Sequence, residues 1–219
     1  MQVAVLGTGL MGLAMAEKLL SAKVSVVAYN RTPERMEPLR QAGAVLANSP
    51  DEAIAQCDCA IAMLSNATAI REVVLSERSR PHLQGRTIIQ MGTIAPSESR
   101  EFASQIAQFE GDYFEAPVLG SIPQVKSGSL QVMVGGTREQ FTQWSEFLKH
   151  FGEPQRIGEV GEAAALKLAL NQLIASLTTA FSLSLGFVQR QGVDVEVRFV
   201  PAKVEGKCLK RKRGKEHSP

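Results

Sequence analysis

Cysteine is scarce in this chain, with three residues in 219. Three cysteines cannot build a disulfide framework. Cys57 and Cys59 flank Asp58 where an alternating strand begins, and they read as reduced, partly buried core residues rather than metal ligands. No metal site is expected, and the cytoplasm is the default compartment. No apolar run approaches the roughly 20 residues of a membrane span. The start lacks the charged and apolar regions of a signal peptide. No membrane partner is therefore expected. Repeats of solenoid length are absent too. What is present, 44% hydrophobic and 21% charged residues, is ordinary for a globular protein and sufficient for one full domain and part of another.

A broad basic surface is also missing, although the formal net charge is +2. Residues 198–219 hold eight Lys/Arg and two Glu, a net of +6, which leaves the rest of the chain at −4. A mildly acidic body offers no broad nucleic-acid footprint, so nucleic acid is not an expected partner. Lys210-Arg211-Lys212-Arg213 reads first as part of an out-of-frame tail on a truncated chain, with a nuclear-localisation or anionic-surface segment as the alternative.

The first 32 residues carry the most information. Gln2 to Leu6 is a short apolar run, and Gly7-Thr8-Gly9-Leu10-Met11-Gly12 follows at once. Leu13 to Leu20 reads as a helix, and Val24 to Tyr29 as a second strand ending in Asn30-Arg31-Thr32. Strand, glycine turn, helix and strand is the order of a dinucleotide-binding unit. Gly7 permits the tight turn, Gly9 lets backbone approach a pyrophosphate, and Gly12 lets the helix pack close to the strand. The helix N-terminus offers free N–H groups and a partial positive charge to phosphates.

The end of the second strand sets cofactor choice. NAD sites usually place an Asp or Glu there for the ribose 2′-OH. Here no carboxylate is present to repel a 2′-phosphate, and Arg31 can pair with one. NADP is favoured over NAD. Asn30-Arg31-Thr32-Pro33 also reads as a turn into the next helix, with Thr32 as N-cap and Pro33 at the first position.

Downstream, helices are expected over Glu34–Ala42, from a Ser49 cap to Ala55, over Ala67–Leu75, from Pro96 to about Phe109 and from a Thr137 cap to Phe151. Strands are expected at Ala44–Leu46, Cys59–Leu64, Thr87–Gln90, Tyr113–Pro117 and Leu130–Val134, with a short one at Arg156–Ile157. This alternation argues for an α/β, Rossmann-type, doubly wound and mostly parallel sheet.

From Glu162 the texture changes. Residues 162–191 contain no proline, one glycine (Gly186) and few charges. Leu166, Leu170, Leu173, Leu177 and Phe181 form an apolar stripe at helical spacing. The expectation is one helix of about 45 Å at about 1.5 Å per residue, with most faces covered between domains or subunits. Lys167 and Asn171 lie four apart on one face. A partly desolvated lysine beside a carboxamide can shuttle a substrate proton. Taken alone, a helical lysine reads as a solvated surface residue.

GTGLMGLAMAEKL at 7–19 resembles the opening fingerprint of the β-hydroxyacid dehydrogenases, in the 3-hydroxyisobutyrate dehydrogenase-like branch related to 6-phosphogluconate dehydrogenase. MLSNATA at 63–69, QMGTIAPSESRE at 90–101, EAPVLGSIPQVKSGSLQVMVGG at 115–136 and GEVGEAAALKLALNQL at 158–173 are similar to later motifs of that family. The resemblance covers about residues 1–196. It implies an NAD(P)-dependent dehydrogenase or reductase acting on CH–OH groups. It implies cofactor contacts from Gly7, Thr8, Gly9, Leu10, Met11, Gly12, Asn30, Arg31, Thr32, Met63, Leu64, Ser65 and Thr93. Leu119, Gly120 and Ser121 fall on the substrate loop, and Lys167 and Asn171 on the catalytic positions.

Two departures stand out. Where the family commonly has Ser-Gly-Gly after Pro-Val, Leu119-Gly120-Ser121 follows Pro117-Val118. A standard small 3-hydroxy acid is thereby put in doubt, and a larger or less polar aldehyde, ketone or imine is conceivable. The match also stops near Val197, short of the family's later helices. The expected division is residues 1–160 as an NADP-binding domain, 161–196 as the long interdomain helix of a truncated all-α domain, and 197–219 as a disordered basic tail. The expected function is hydride transfer between NADP(H) and a short hydroxy acid or semialdehyde, with a homodimer formed through Leu166, Leu173, Leu177 and Phe181. The alternatives are an NADP-binding protein impaired in turnover, or an interaction module built on the family's domain.

Overall fold

The computed structural model describes residues 1–193; the expectation of a disordered tail at 197–219 falls outside them. The chain divides into two units, the first ending at Asn171 and the second beginning at Gln172.

The first unit is a nine-stranded sheet with helices on both faces. Its strands are β1 (Gln2–Leu6), β2 (Ser25–Tyr29), β3 (Val45–Leu46), β4 (Cys59–Ala62), β5 (Thr87–Gln90), β6 (Asp112–Glu115), β7 (Val118–Leu119), β8 (Leu130–Gly135) and β9 (Gly152–Gly158). They run in the order β3-β2-β1-β4-β5-β6-β8-β7, with β9 paired to β8. The first six strands pair in parallel as 3-2-1-4-5-6, the dinucleotide-binding order. β8 then pairs antiparallel to β6 and β7, and β9 parallel to β8. The central strands are buried on both faces, so they read as continuous apolar runs such as CAIA.

The helices are α1 (Leu10–Ser21), α2 (Glu37–Gln41), α3 (Pro50–Ala55), α4 (Ala67–Val74), α5 (Pro96–Ala107), α6 (Ile122–Ser127), α7 (Arg138–Leu148) and α8 (Glu162–Arg190). Two apolar clusters sandwich the sheet. One gathers Val5, Met15, Ile89 and Phe114 against Phe147 and Phe151. The other gathers Leu6, Ile54, Ile88, Phe102 and Ile106. The Ser49 and Thr137 caps form as expected, each hydroxyl accepting the N–H three residues on. Cys57 and Cys59 are buried and reduced. Burial pushes the Cys57 thiol up to about 11 and raises that of Cys59 as well.

Several expectations need correction. The helix expected over 34–42 is a 3-10 turn at Pro33–Met36 followed by α2. Pro38 lacks the N–H that a continuous ladder would draw on. Thr32 does not cap with its side chain; instead Asn30 Oδ1 accepts the Thr32 N–H at 2.9 Å and turns the chain. β4 stops at Ala62, where its partner β1 ends at Leu6. β7 and α6 went unforeseen within 116–129, and β9 runs seven residues rather than two.

α8 is one helix of 29 residues, as its uninterrupted pattern required. In the second unit Leu173, Ile174, Leu177, Leu183 and Phe187 on this helix are exposed, so the expected covering does not come from the described residues. α8 also overturns the reading that nothing approaches a membrane span. By length and composition alone it is long and apolar enough to cross one. Residues 168–189 contain no Asp, Glu, Lys or Arg. Counting uninterrupted apolar residues missed this, because serines and threonines punctuate the run. Their hydroxyls turn back onto the helix: Thr178, Ser182 and Ser184 each donate to the carbonyl four residues earlier, at 2.8–2.9 Å.

Phe102 is fully buried between α5 and the sheet. Phe102→Ala is expected to cost about 3–5 kcal/mol of stability through the cavity it leaves, read as a lower urea midpoint. An unchanged midpoint would mean that this cluster is not packed as described.

Candidate functional site

The glycine turn after β1 is built by close backbone contacts. Gly7 has φ of +97°, and a Cβ there would lie 2.4 Å from the Met63 carbonyl oxygen. A Cβ on Gly12 would lie 1.9 Å from the Gly7 carbonyl oxygen. Gly9 differs: nothing lies within 4 Å of its Cβ direction. Two glycines are thus fixed by the protein's own backbone, and the third faces open space. Gly9 is also the N-cap of α1, with no side-chain cap and no acidic residue in the first turn. The first-turn amides and the positive end of the helix dipole are left for an anion. A dinucleotide pyrophosphate fits this cradle.

Two clefts border the turn, and a third lies beyond it at the end of β2. One of about 360 Å³ is lined by Gly7, Tyr29, Asn30, Arg31, Ser65 and Asn66, among others. A second of about 350 Å³ includes Thr8, Gly9, Leu10 and Arg35. A smaller one of about 150 Å³ is shared by Arg31, Arg40 and Asn48. Arg31 therefore stands between two clefts. Arg35 and Arg40 were missed in the sequence because they lie in what reads as a surface helix.

The other expected cofactor residues take varied positions. Thr8 is buried, 2% exposed, with its hydroxyl 3.5 Å from the Arg35 carbonyl oxygen. Leu10 is exposed, whereas Met11 packs against the core. Met63 and Leu64 are half-buried, and Leu64 lines the cleft that holds Gly7 and Arg31. Thr93 is exposed on the loop after β5. That loop approaches the one after β4 so closely that a Cβ on Gly92 would lie 2.8 Å from the Leu64 carbonyl oxygen. Gly92 is a positional requirement that sequence reading passed over.

In the substrate-type loop, Leu119 ends β7 half-buried, and Gly120 and Ser121 are exposed. Gly120 has φ of +135°, a conformation that favours glycine. The Ser121 hydroxyl donates to Gln124 Oε1 at 2.8 Å, and the Ser121 N–H reaches the same oxygen at 2.9 Å. Ser121 thus opens α6, and its hydroxyl has a protein partner.

Lys167 is half-buried on α8, and Asn171 is exposed one turn further on. Burial lowers the Lys167 pKa from the ordinary lysine value. Among the described residues no carboxylate forms an ion pair with it. Thr93, Gly120, Ser121, Lys167 and Asn171 line none of the three clefts.

Glu115, at the end of β6, was not singled out in the sequence. It is 1% exposed. Its Oε1 accepts the N–H groups of Gly161 at 2.8 Å and Ala164 at 2.9 Å. Its Oε2 accepts the Ser99 hydroxyl, and Ser99 Oγ lies 2.8 Å from the Tyr113 hydroxyl. Burial, with Glu115 beside it, raises the Tyr113 pKa. The one available signal was an acid inside an otherwise apolar strand, YFEAP.

Residues 2–163 match the family described as the NAD binding domain of 6-phosphogluconate dehydrogenase. The chain belongs to the β-hydroxyacid dehydrogenase family. It is 31% identical over 196 residues to glyoxylate/succinic semialdehyde reductase 1 of Arabidopsis thaliana, covering 88% of this chain and 68% of that one. It is 30% identical over 195 residues to the chloroplastic reductase 2 of the same plant, covering 88% of this chain but only 54% of the relative's length. Among solved structures, an imine reductase from Streptomyces aurantiacus matches with TM-score 0.82 and 26% identity, covering 88% of this chain and 68% of that one. The relatives named here are reductases, and the matched domain is a nicotinamide-dinucleotide fold.

Gly9→Val is expected to abolish dinucleotide binding while the fold survives, since the added side chain meets no protein atom within 4 Å at its Cβ. Fluorescence titration together with circular dichroism checks both parts. Undiminished cofactor binding would show that another surface holds the nucleotide.

Proposed function

We propose that this chain binds NADP(H) and that it acts in hydride transfer to or from a short hydroxy acid, its semialdehyde, or a related ketone or imine. The observation that carries the reading is the cradle: Gly7 and Gly12 are locked by backbone contacts, and Gly9 alone faces open space at an uncapped helix N-terminus. The reductase relatives, one named for glyoxylate and succinic semialdehyde and one for imines, support the substrate class. Residues 1–160 would form the nucleotide-binding domain, and 161–196 the start of an all-α domain. Two buried, reduced thiols suit a reducing compartment such as the cytoplasm.

In this reading the amides of Gly9, Leu10 and Met11 hold the pyrophosphate. Asn30, Arg31 and Thr32 bracket the adenosine ribose, with Arg31 paired to a 2′-phosphate and Arg40 beside the same small cleft. Met63, Leu64, Ser65 and Thr93 border the path toward the nicotinamide. That ring, when bound, supplies or accepts the hydride. Gly120 offers its backbone N–H to a substrate carboxylate, Ser121 serves as a second donor once it turns from Gln124 Oε1 to the substrate, and Leu119 makes the pocket less polar than a serine would. Lys167 gives a proton to the substrate oxygen or takes one from it, helped by a pKa lowered through burial. Asn171 orients the same group.

A second reading is nucleotide binding without turnover. It is favoured by the absence of Lys167 and Asn171 from the clefts around the glycine turn. Lys167→Ala separates the two. For an enzyme, turnover should fall roughly 10²–10⁴-fold with cofactor affinity kept. A variant within a few-fold of the parent would make Lys167 an ordinary helical lysine.

Arg31→Ala should weaken NADPH binding by about ten- to hundred-fold, the value of about 1.5–3 kcal/mol for a charge-assisted bond, and leave NADH affinity nearly unchanged. Equal affinity of the parent for both cofactors would refute NADP preference.

We further propose a homodimer through α8, because Leu173, Ile174 and Leu177 are exposed on it and contiguous apolar patches rarely stay bare on monomers. Sedimentation of the chain at micromolar concentration should give a dimer. A monomer that binds no hydrophobic dye would contradict this. Recovery only from detergent extracts of membranes would assign the helix to a bilayer instead.

A further inference from the structure

We propose that Glu115 is a positioning residue for Lys167: its buried carboxylate holds the first turn of α8 and so sets the height and rotation at which the lysine leaves the helix. The inference rests on the reading of Lys167 as the proton-transfer group.

A carboxylate taken out of water is costly unless its oxygens are fully engaged. Glu115 meets that condition with three donors: the Gly161 and Ala164 N–H groups and the Ser99 hydroxyl. Two of these are helix-start amides that have no partner within their own helix. The carboxylate also sits where the helix dipole favours negative charge. It does from outside what a capping side chain does from within.

The fit around it is tight. A Cβ on Gly135 of β8 would lie 2.4 Å from Glu115 Oε1, so the neighbouring strand has to be bare there for the carboxylate to reach α8. Gly161 takes φ of +98° as the chain enters the helix, which delivers its N–H to the same oxygen. The anchoring is also concentrated. Ala163 and Ala164 are the only buried residues of α8 among those described. No other part of the helix is gripped so closely.

Lys167 is three residues beyond Ala164, on the adjoining face and about 4.5 Å along the axis at about 1.5 Å per residue. Over that distance a helix behaves as a rigid rod. Moving or rotating its first turn therefore moves the lysine and changes how far the ammonium is withdrawn from water. The partial burial of Lys167 is thus a reporter of the Glu115 contact.

The test titrates Lys167 directly in the full chain, without needing turnover. Acetylation by acetic anhydride is followed as a function of pH by mass spectrometry, with the other lysines as internal references. In the parent, Lys167 should titrate below them. Glu115→Ala should move its midpoint up toward the ordinary value of about 10.4, with NADPH affinity and far-UV circular dichroism unchanged. Glu115→Asp keeps the charge but shortens the arm, and should shift the midpoint likewise. Glu115→Gln keeps an acceptor oxygen at the same reach, and should resemble the parent. If the alanine variant does not fold, the Asp/Gln contrast decides. Where turnover is measurable, the shifted variants should lose kcat on the order of 10²-fold, as for a catalytic group misplaced by about 1 Å. A folded Ala or Asp variant with the parent's Lys167 midpoint overturns the proposal. A shifted midpoint together with an active Lys167→Ala would uphold the positioning and overturn the catalytic reading.

Discussion

The architecture depends on one close approach of backbone to backbone. The carbonyl of Gly7 faces α1 at a point where only Gly12 leaves room, and Gly7 itself is pressed against the carbonyl of Met63. Those contacts tie β1, α1 and the segment after β4 into one rigid corner. From that corner the sheet order follows, with β2 on one side of β1 and β4 on the other. The gap between them at the strand ends is where a parallel α/β sheet offers a crevice. The same contacts leave α1 starting without a cap. Stability and binding are therefore linked at this corner: the packing that makes it rigid also exposes the amides that meet an anion.

Across the sheet, a buried carboxylate does comparable work with charge instead of close contact. Glu115 joins β6 to the start of α8, and Ser99 and Tyr113 complete its shell. Unit-wide apolar packing fixes the strands, but it does not reach far along α8, where burial ends at Ala164. Beyond that point Leu166, Lys167 and Leu170 are half-buried, and Leu173, Ile174, Leu177, Leu183 and Phe187 are exposed.

Legibility in the sequence followed the range of the interactions. The glycine turn, the parallel order and the long helix were readable because each is encoded in local spacing: a Gly-x-Gly-x-x-Gly run after an apolar strand, alternating short periods, and 29 residues without a proline. The Thr32 cap was misassigned because two side chains, Asn30 and Thr32, compete for one turn and the shorter Asx geometry wins. β7 and α6 were hidden in a stretch of six and fewer residues per element, too short to show a period. Glu115, Gly92, Gly135 and Arg40 depend on partners distant in sequence, and no local pattern announces them. The substrate loop was readable only in part: its position is evident, but the engagement of Ser121 by Gln124 needed the fold.

The central claim is that the first turn of α1 and the end of β2 form the nucleotide site. The most direct measurement is an amide chemical-shift titration of the isotope-labelled chain with NADPH. The account predicts the largest changes at the backbone amides of Gly9, Leu10 and Met11 and at Arg31, with smaller ones at Ser65 and Thr93, and none along α7. Changes centred elsewhere, with the Gly9–Met11 amides unmoved at saturating nucleotide, would contradict it.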